Sequence, residues 1–228
     1  MSSNIKINTI TSSLVKISNV IYNENVKKFF MDSYESNLKT LTTAERRVQR
    51  MGLANERIFT IEDIYNLPEG QRAELVDGHI YMMAPPNRQH QEIVGELFAL
   101  IREYIKKNKG DCKAYIAPFA VFLNENGTNY VEPDISVICD SNKLNDKGCV
   151  GAPDWIIEIV SPGSSRMDYM IKLFKYRTAG VREYWIVDKQ KNRITVYNFE
   201  NDDMKEYTFF DTVRAGIYTE FTIDFSGI

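Results

Sequence analysis

Apolar and polar residues recur in patterns that predict a regular series of strands and helices from residue 60 onward. The clearest helical period lies in residues 87–108, where apolar residues return at steps of three and four and Gly110 follows as a stop signal. The apolar residues of this segment are Ile93, Val94, Leu97, Leu100, Ile101, Tyr104 and Ile105. Upstream, Asp77-Gly78 separates residues 73–76 from residues 79–83 and predicts a β-hairpin with a two-residue turn.

Further strands follow the long helix, and a second helix interrupts them. Runs rich in β-branched and aromatic residues predict strands at 114–123, 130–139, 155–160, 183–187 and 193–199. After the third of these, Ser164 or Ser165 can cap a helix that Gly180 closes. The order of hairpin, helix, strands, helix and strands predicts the α/β class, with an α+β mixed central sheet flanked by helices.

Residues 1–57 differ from the rest of the chain in composition and charge. They are polar and weakly periodic, apart from a helical period over residues 26–41, and they hold nine Lys and Arg against five Asp and Glu. Of 28 basic and 31 acidic residues, 19 and 26 therefore remain for residues 58–228. We expect a partly helical N-terminal extension over residues 1–57 and one large domain over residues 58–228. The acidic body counts mildly against nucleic-acid binding, although carboxylates that hold a metal contribute to that charge.

Cysteine usage and hydropathy favour a cytoplasmic protein without a membrane partner. The three cysteines, Cys112, Cys139 and Cys149, are odd in number and have no Cys-x-x-Cys spacing, so we expect reduced thiols rather than a disulfide framework or a zinc site. No run approaches 18 apolar residues, and polar residues interrupt residues 1–20, where a signal peptide would need an apolar core.

One carboxylate stands inside an otherwise apolar segment. Glu158 lies within residues 154–160, whose β-branched composition predicts a strand buried on both faces. A buried ionised group is costly unless a cation or several donors compensate it. The candidate partners are Asp134 and Glu132 on the preceding strand, which we expect to share one strand face, and Lys172 on the following helix. Carboxylates without paired histidines or thiolates favour Mg²⁺ or Mn²⁺, and two acids with a lysine are typical of metal-dependent phosphodiesterases.

Taken in order over residues 72–188, the motifs of this chain resemble the Uma2 family, a restriction-endonuclease-like group within the PD-(D/E)XK nuclease superfamily. The matching segments are Glu74-Leu75-Val76-Asp77-Gly78, Asn87-x-x-His90-Gln91, Glu132-Pro133-Asp134-Ile135, Ile157-Glu158-Ile159-Val160-Ser161-Pro162, Asp168-x-x-x-Lys172-Leu173-x-x-Tyr176 and Gly180-Val181-x-Glu183-Tyr184-Trp185-Ile186-Val187-Asp188. Each segment alone is a weak signal, whereas the ordered set over about half of the chain is specific.

The resemblance implies a restriction-endonuclease-like core and a Mg²⁺- or Mn²⁺-dependent endonuclease that hydrolyses DNA phosphodiester bonds. Asp134 and Glu158 take the places of the two metal-binding acids of the superfamily. Two residues after Glu158, where the superfamily motif has lysine, this chain has Val160. Lys172 on the following helix is therefore the candidate catalytic lysine, delivered from another element.

The resemblance also implies further site residues and an assembly. Glu74 takes the place of an additional catalytic acid of the family, and His90 and Gln91 are candidate substrate-binding residues. Duplex DNA has two strands to cut, so one site per chain implies a homodimer with a self-complementary interface.

Each candidate residue also has a structural interpretation. Glu158 can be a salt-bridged core acid, Asp134 a strand-end acid, Lys172 a partner of Asp168 at i, i+4, Glu74 a hairpin-edge residue, Glu132 a solvated acid, and His90 and Gln91 a helix start. The corresponding alternative function is a catalytically inactive, nuclease-like module that binds nucleic acid or protein. A metal-free hydrolase has no support, because the chain has no Gly-x-Ser-x-Gly motif and no Cys/His pairing.

Overall fold

The computed structural model describes residues 57–161, 163–164 and 166–228. The helix predicted over residues 26–41 lies outside the described residues, as does the predicted extension up to residue 56. The helices are α1 (Ile61–Tyr65), α2 (Arg88–Lys107) and α3 (Leu173–Ala179), with a π-helical turn (Met167–Lys172) leading into α3. The strands are β1 (Ala73–Val76), β2 (His79–Met82), β3 (Lys113–Ile116), β4 (Val121–Phe122), β5 (Tyr130–Val131), β6 (Ile135–Ile138), β7 (Leu144–Asn145), β8 (Gly148–Val150), β9 (Trp155–Ile159), β10 (Glu183–Asp188), β11 (Arg193–Asn198), β12 (Asp203–Tyr207), β13 (Thr212–Arg214) and β14 (Thr222–Asp224).

The strands form two six-stranded sheets and a separate hairpin. The first sheet has the order β2-β1-β5-β4-β8-β7, and the second has the order β12-β11-β10-β9-β6-β3. Each sheet is mixed, because β4 pairs with β8 and β9 pairs with β10 in parallel while the other pairs are antiparallel. The predicted α/β class with mixed pairing is therefore confirmed. The single central sheet of the prediction is divided into two.

Two long predicted strands are each broken where the chain crosses from one sheet to the other. Residues 114–123 divide into β3 and β4, and residues 130–139 divide into β5 and β6. Pro118 and Pro133 lie at the breaks, where a residue without an N–H costs no ladder hydrogen bond. Glu132 and Asp134 consequently lie in the crossover rather than on a shared strand face, so that prediction is wrong.

Strand β9 is buried on both faces, as its composition predicts. It lies between β6 and β10, and all five of its residues are buried. Its odd-numbered residues, such as Ile157, pack in a core that includes the apolar stripe of α2. Ile156 packs on the opposite face with Tyr176 of α3 and residues of the first sheet. Because side chains alternate along a strand, Glu158 shares this second face.

The helices begin and end close to their predicted limits. Asn87 caps α2 by accepting the N–H of His90 at 2.9 Å, and Asn108 ends it. Gly180 closes α3 with a φ of 97°, a conformation that glycine adopts without strain. The helix for which Ser164 or Ser165 was the predicted cap begins instead as the π-helical turn, a feature often found at functional sites. Within the part of the chain that the structure describes, no helix has both the length and the apolarity to cross a bilayer.

The antiparallel pairing of β3 with β6 brings two cysteines together. It aligns Lys113 with Ile138, so the next residues outward, Cys112 and Cys139, face each other. The structure joins them by a disulfide bond, and the prediction of reduced thiols is therefore wrong for this pair. The register of β3 against β6 determines whether the two cysteines meet. Cysteine spacing in the sequence does not reveal that register. Cys149 is free and buried.

Candidate active site

Glu158 is the buried centre of the candidate site. Strand β9 carries it, and only 4% of the residue is exposed. Its Oε1 accepts hydrogen bonds from Nζ of Lys172 at 2.9 Å and from the hydroxyl of Tyr176 at 2.7 Å. The helical segment that follows β9 therefore supplies both the cation and the donor that a carboxylate needs in an apolar strand.

Lys172 ends the π-helical turn and joins acids from both sheets. Its ammonium nitrogen lies 2.9 Å from Oε1 of Glu158 and 2.9 Å from Oε2 of Glu74, and the residue is 6% exposed. Asp168, its partner in the structural interpretation, acts on it at longer range. The structure thus brings the lysine of the helix to the acid of the strand. Its catalytic role stays a prediction.

Asp134 lies beside Glu158 at the crossover between the sheets. Its Oδ2 accepts the backbone N–H of Ile159 at 2.8 Å and lies 3.1 Å from Nε2 of His90. Its own N–H lies 3.4 Å from Oε2 of Glu158. The two acids are therefore neighbours, with Oε2 of Glu158 on the side of Asp134 and Oε1 on the side of α3.

Glu74 belongs to the acidic cluster, which consists of Glu74, Asp134, Glu158 and Asp168 around Lys172, whereas Glu132 does not. Glu74 is 4% exposed, and its Oε1 accepts the backbone N–H of Glu132 at 3.0 Å. The carboxylate of Glu132 points elsewhere, accepting from the hydroxyl of Tyr130 at 2.5 Å and forming a salt bridge with Arg72. Glu132 is therefore neither a solvated acid nor a companion of the Asp134 side chain.

His90 and Gln91 separate at the start of α2. The His90 ring is buried against Asp134, and it also lines a small cleft with Lys189 and Val160. Gln91 is exposed, and the structure does not bring it to the acidic cluster. Contact of either residue with substrate stays a prediction.

Asp168 and Tyr176 belong to the family motif, but the sequence did not predict either of them as a site residue. Asp168 is 2% exposed, and its Oδ2 accepts a hydrogen bond of 2.6 Å from the hydroxyl of Ser164. Tyr176 is fully buried with its hydroxyl on Glu158. The available signal was the repeated spacing of four residues from Asp168 through Lys172 to Tyr176, which places such side chains on one side of a helix.

Burial raises the proton affinity of the acidic cluster. It raises the pKa of Glu158 to about 8, although Lys172 acts in the opposite direction. It also raises the pKa of Asp168 to about 6 against the effects of Lys172 and Ser164. Burial alone would lower the pKa of Lys172, but the surrounding carboxylates, Glu158 first, hold that pKa well above its usual value. The cluster thus contains more carboxyl groups than the ammonium of Lys172 can neutralise. The excess negative charge favours the binding of a proton or of a further cation.

Two neighbouring carboxylates offer donor atoms of the kind that Mg²⁺ and Mn²⁺ prefer. Asp134 and Glu158 offer hard oxygen atoms, and Oε2 of Glu158 is not the oxygen that Lys172 and Tyr176 occupy. Among residues 57–161, 163–164 and 166–228, no group of three His, Cys, Asp or Glu side chains is arranged to hold a metal. Mg²⁺ does not need one, because it commonly keeps several waters and binds through one or two carboxylates.

The mixed α/β fold, with two acids and a lysine at the junction of its sheets, has a counterpart among solved structures. The fold agrees with a crystal structure described as "a putative nuclease belonging to DUF820" from Anabaena variabilis ATCC 29413. The TM-score is 0.58 at 22% sequence identity, and the match covers 70% of this chain and 90% of that chain. At this identity the likeness concerns the fold.

The chain belongs to the Uma2 family. The model of that family, described as "Putative restriction endonuclease", matches residues 61–222, which include every residue of the acidic cluster. A relative from Synechocystis sp. (strain ATCC 27184 / PCC 6803 / Kazusa), "Uncharacterized protein slr1290", is 27% identical over 134 residues. That match covers 58% of this chain and 68% of the relative. The resemblance found in the sequence motifs is therefore confirmed.

Proposed function

We propose that this protein is a Mg²⁺- or Mn²⁺-dependent endonuclease that hydrolyses DNA phosphodiester bonds. The observation that carries the proposal is the meeting of Asp134, Glu158 and Lys172, which come from three separate segments of the chain, beside the buried Glu158–Lys172 pair. The restriction-endonuclease description of the family supports hydrolysis as the reaction class and nucleic acid as the substrate class.

In this proposal the two acids hold the metal and the lysine acts beside them. Asp134 and Oε2 of Glu158 are the ligand atoms that the chain offers. A divalent cation bound there would polarise a phosphoryl oxygen and activate water for attack. Lys172 places positive charge where negative charge develops on the phosphate, and Glu74 fixes that ammonium from the other sheet.

His90 and the backbone N–H of Ile159 support Asp134 by holding its Oδ2. Groups that orient metal-binding carboxylates in this way commonly tune metal affinity. The exposed position of Gln91 at the start of α2 is compatible with a contact to substrate, and we retain it as a candidate substrate-binding residue.

We propose a homodimer as the DNA-cutting assembly. One site per chain cuts both strands of a duplex most simply when two copies are related by a two-fold axis. Sedimentation of the full chain at micromolar concentration, with and without duplex DNA, tests this assembly. A strict monomer in both conditions would exclude it.

A plasmid-nicking assay tests the proposed reaction. Supercoiled plasmid is incubated with the protein and Mg²⁺ or Mn²⁺, and conversion to open-circular and linear forms is followed on a gel. Asp134→Asn and Glu158→Gln are the matched variants, since each keeps the size of the side chain and removes its charge. Cleavage that persists in EDTA, or at wild-type rate in either variant, would contradict the proposal.

A catalytically inactive, nuclease-like binding module is the second candidate. One observation favours it: the ammonium of Lys172 joins Glu74 and Glu158 in two salt bridges of 2.9 Å, and such an ion-pair network can serve the fold alone. This candidate predicts binding of nucleic acid or protein with no cleavage in either Mg²⁺ or Mn²⁺. The nicking assay, run beside a binding assay with the same plasmid, separates the two functions.

A further inference from the structure

The hydroxyl of Tyr176 has no role in the reaction proposed above. It donates to Oε1 of Glu158 at 2.7 Å from a fully buried position. Lys172 donates to the same oxygen at 2.9 Å, whereas Oε2 has the N–H of Asp134 at the longer distance of 3.4 Å. The carboxylate of Glu158 is thus held by one oxygen and offers the other toward Asp134.

The ring of Tyr176 is fixed by the same packing that fixes Lys172. It packs edge-on against Tyr184, with ring centroids 5.0 Å apart and an interplanar angle of 78°. The hydroxyl of Tyr184 donates at 3.1 Å to the backbone carbonyl of Asp168, inside the π-helical turn that ends at Lys172. Both donors to Glu158 are therefore held by one packed unit.

Lys172 alone does not determine how the Glu158 carboxylate is rotated. Its ammonium is shared with Glu74 and presents three rotatable donors. A phenolic hydroxyl has a single proton, which lies close to the plane of a ring that is itself fixed by packing, so it donates to one acceptor at a time. Of the two donors, Tyr176 is the one that can select Oε1 and leave Oε2 for another ligand.

We propose that Tyr176 is a positioning residue that turns Oε2 of Glu158 toward the metal held beside Asp134. This inference rests on the proposed function, because it assigns a purpose to the free oxygen of a metal-binding acid. Removing a group that orients a metal ligand commonly lowers metal affinity or activity by about 10- to 100-fold.

Tyr176→Phe tests the proposal, since it removes the hydroxyl and keeps the ring against Tyr184. The matched control is Tyr130→Phe. Tyr130 is also buried and also donates to a carboxylate, that of Glu132 at 2.5 Å, which lies outside the cluster. Mn²⁺ binding to the full chain is measured by isothermal titration calorimetry, and thermal unfolding of the metal-free proteins is measured in parallel.

We expect Tyr176→Phe to weaken Mn²⁺ binding by about 10- to 100-fold while Tyr130→Phe binds as the wild type does. In the nicking assay, Tyr176→Phe should raise the Mn²⁺ concentration needed for half-maximal rate and leave the KM for plasmid at saturating Mn²⁺ unchanged. A residue with a merely structural role would not raise the required Mn²⁺ concentration while leaving the KM for plasmid unchanged.

Two outcomes overturn the proposal in distinguishable ways. Wild-type Mn²⁺ affinity in Tyr176→Phe, or an equal loss in both variants, removes the positioning role and leaves the endonuclease proposal intact. A wild-type protein that binds no Mn²⁺ and cuts no plasmid removes the endonuclease proposal and the role of Tyr176 with it.

Discussion

The ammonium nitrogen of Lys172 lies 2.9 Å from Oε2 of Glu74 across the junction of the two sheets. Glu74 belongs to β1 of the first sheet, and the same ammonium reaches Glu158 on β9 of the second sheet at 2.9 Å. All three side chains are buried, so water and salt screen their attraction little. The geometry of the candidate site therefore depends on how one sheet packs against the other.

Asp134→Ala and Glu158→Ala are each expected to abolish metal-dependent cleavage. Each removes one of the two carboxylates that can bind the cation. The fold should persist in both, because the cluster holds more carboxyl groups than its ammonium neutralises and loss of one relieves repulsion. Plasmid nicking measures the loss of cleavage, and circular dichroism shows whether the fold persists. Wild-type nicking by either variant would remove that acid from the site.

Lys172→Ala should lower turnover by orders of magnitude and leave Mg²⁺ affinity nearly unchanged, because lysine is not a metal ligand. Lys172→Arg should restore little activity, since a planar fork does not replace a compact charge between two carboxylates. Single-turnover cleavage and calorimetric Mg²⁺ titration measure the two quantities. A parallel loss of metal affinity and turnover would place Lys172 among the groups that build the metal site.

Lys172→Met should also destabilise the protein by about 3–5 kcal/mol, because it leaves two buried carboxylates without their cation. Adding Glu74→Gln removes one of those uncompensated charges, so the double variant should be more stable than the sum of the single effects predicts. Urea unfolding of the four proteins in the cycle measures the difference. Strictly additive free energies of unfolding would show that the pair is not coupled.

The stability of the metal-free protein should fall as the pH rises from roughly 5 to 8. The pKa of Glu158 rises from 4.5 to about 8 on folding, so in this window the folded protein keeps a proton that the unfolded chain has lost. The stability this group provides is complete below its unfolded pKa and is lost as the pH passes through its folded pKa. Asp168, with a pKa raised to about 6, adds to the same slope. One proton corresponds to about 1.4 kcal/mol per pH unit.

Urea unfolding in EDTA at several pH values checks this slope. Glu158→Gln is the control that should reduce the slope, because glutamine does not titrate and the contribution of Asp168 ends near pH 6. A wild-type stability that stays level or increases over the same range would show that Glu158 ionises normally in the folded protein.

Gly78→Ala should destabilise the β1–β2 hairpin more than Gly127→Ala destabilises its own turn. Both glycines have positive φ, 74° and 68°, so each substitution incurs about 1–2 kcal/mol of backbone strain. A Cβ at position 78 would also lie 2.5 Å from Cγ2 of Ile58, whereas a Cβ at position 127 meets nothing within 4 Å. This close contact should add to the loss at position 78. Equal losses in thermal unfolding would show that Ile58 moves aside without cost.

Local patterns in the sequence determined several elements correctly. The apolar stripe of α2 and its Asn87 cap follow from spacing, and Asp77-Gly78 forms the predicted turn with both residues at positive φ. The burial of β9 around Glu158 follows from its composition. These features depend on residues close together in the chain, so the local sequence is enough to predict them.

The motifs also predicted Asp134, Glu158 and Lys172 as site residues, and the structure brings these three side chains together. They did not reveal Tyr176 on Glu158 or the turning of Glu132 toward Arg72. Those contacts exist because the chain crosses between sheets at Pro133 and because α3 packs over one face of β9. The Cys112–Cys139 bond likewise depends on the register of β3 and β6. Strand register and sheet packing join residues far apart in the chain, so only the tertiary structure decides which side chains meet.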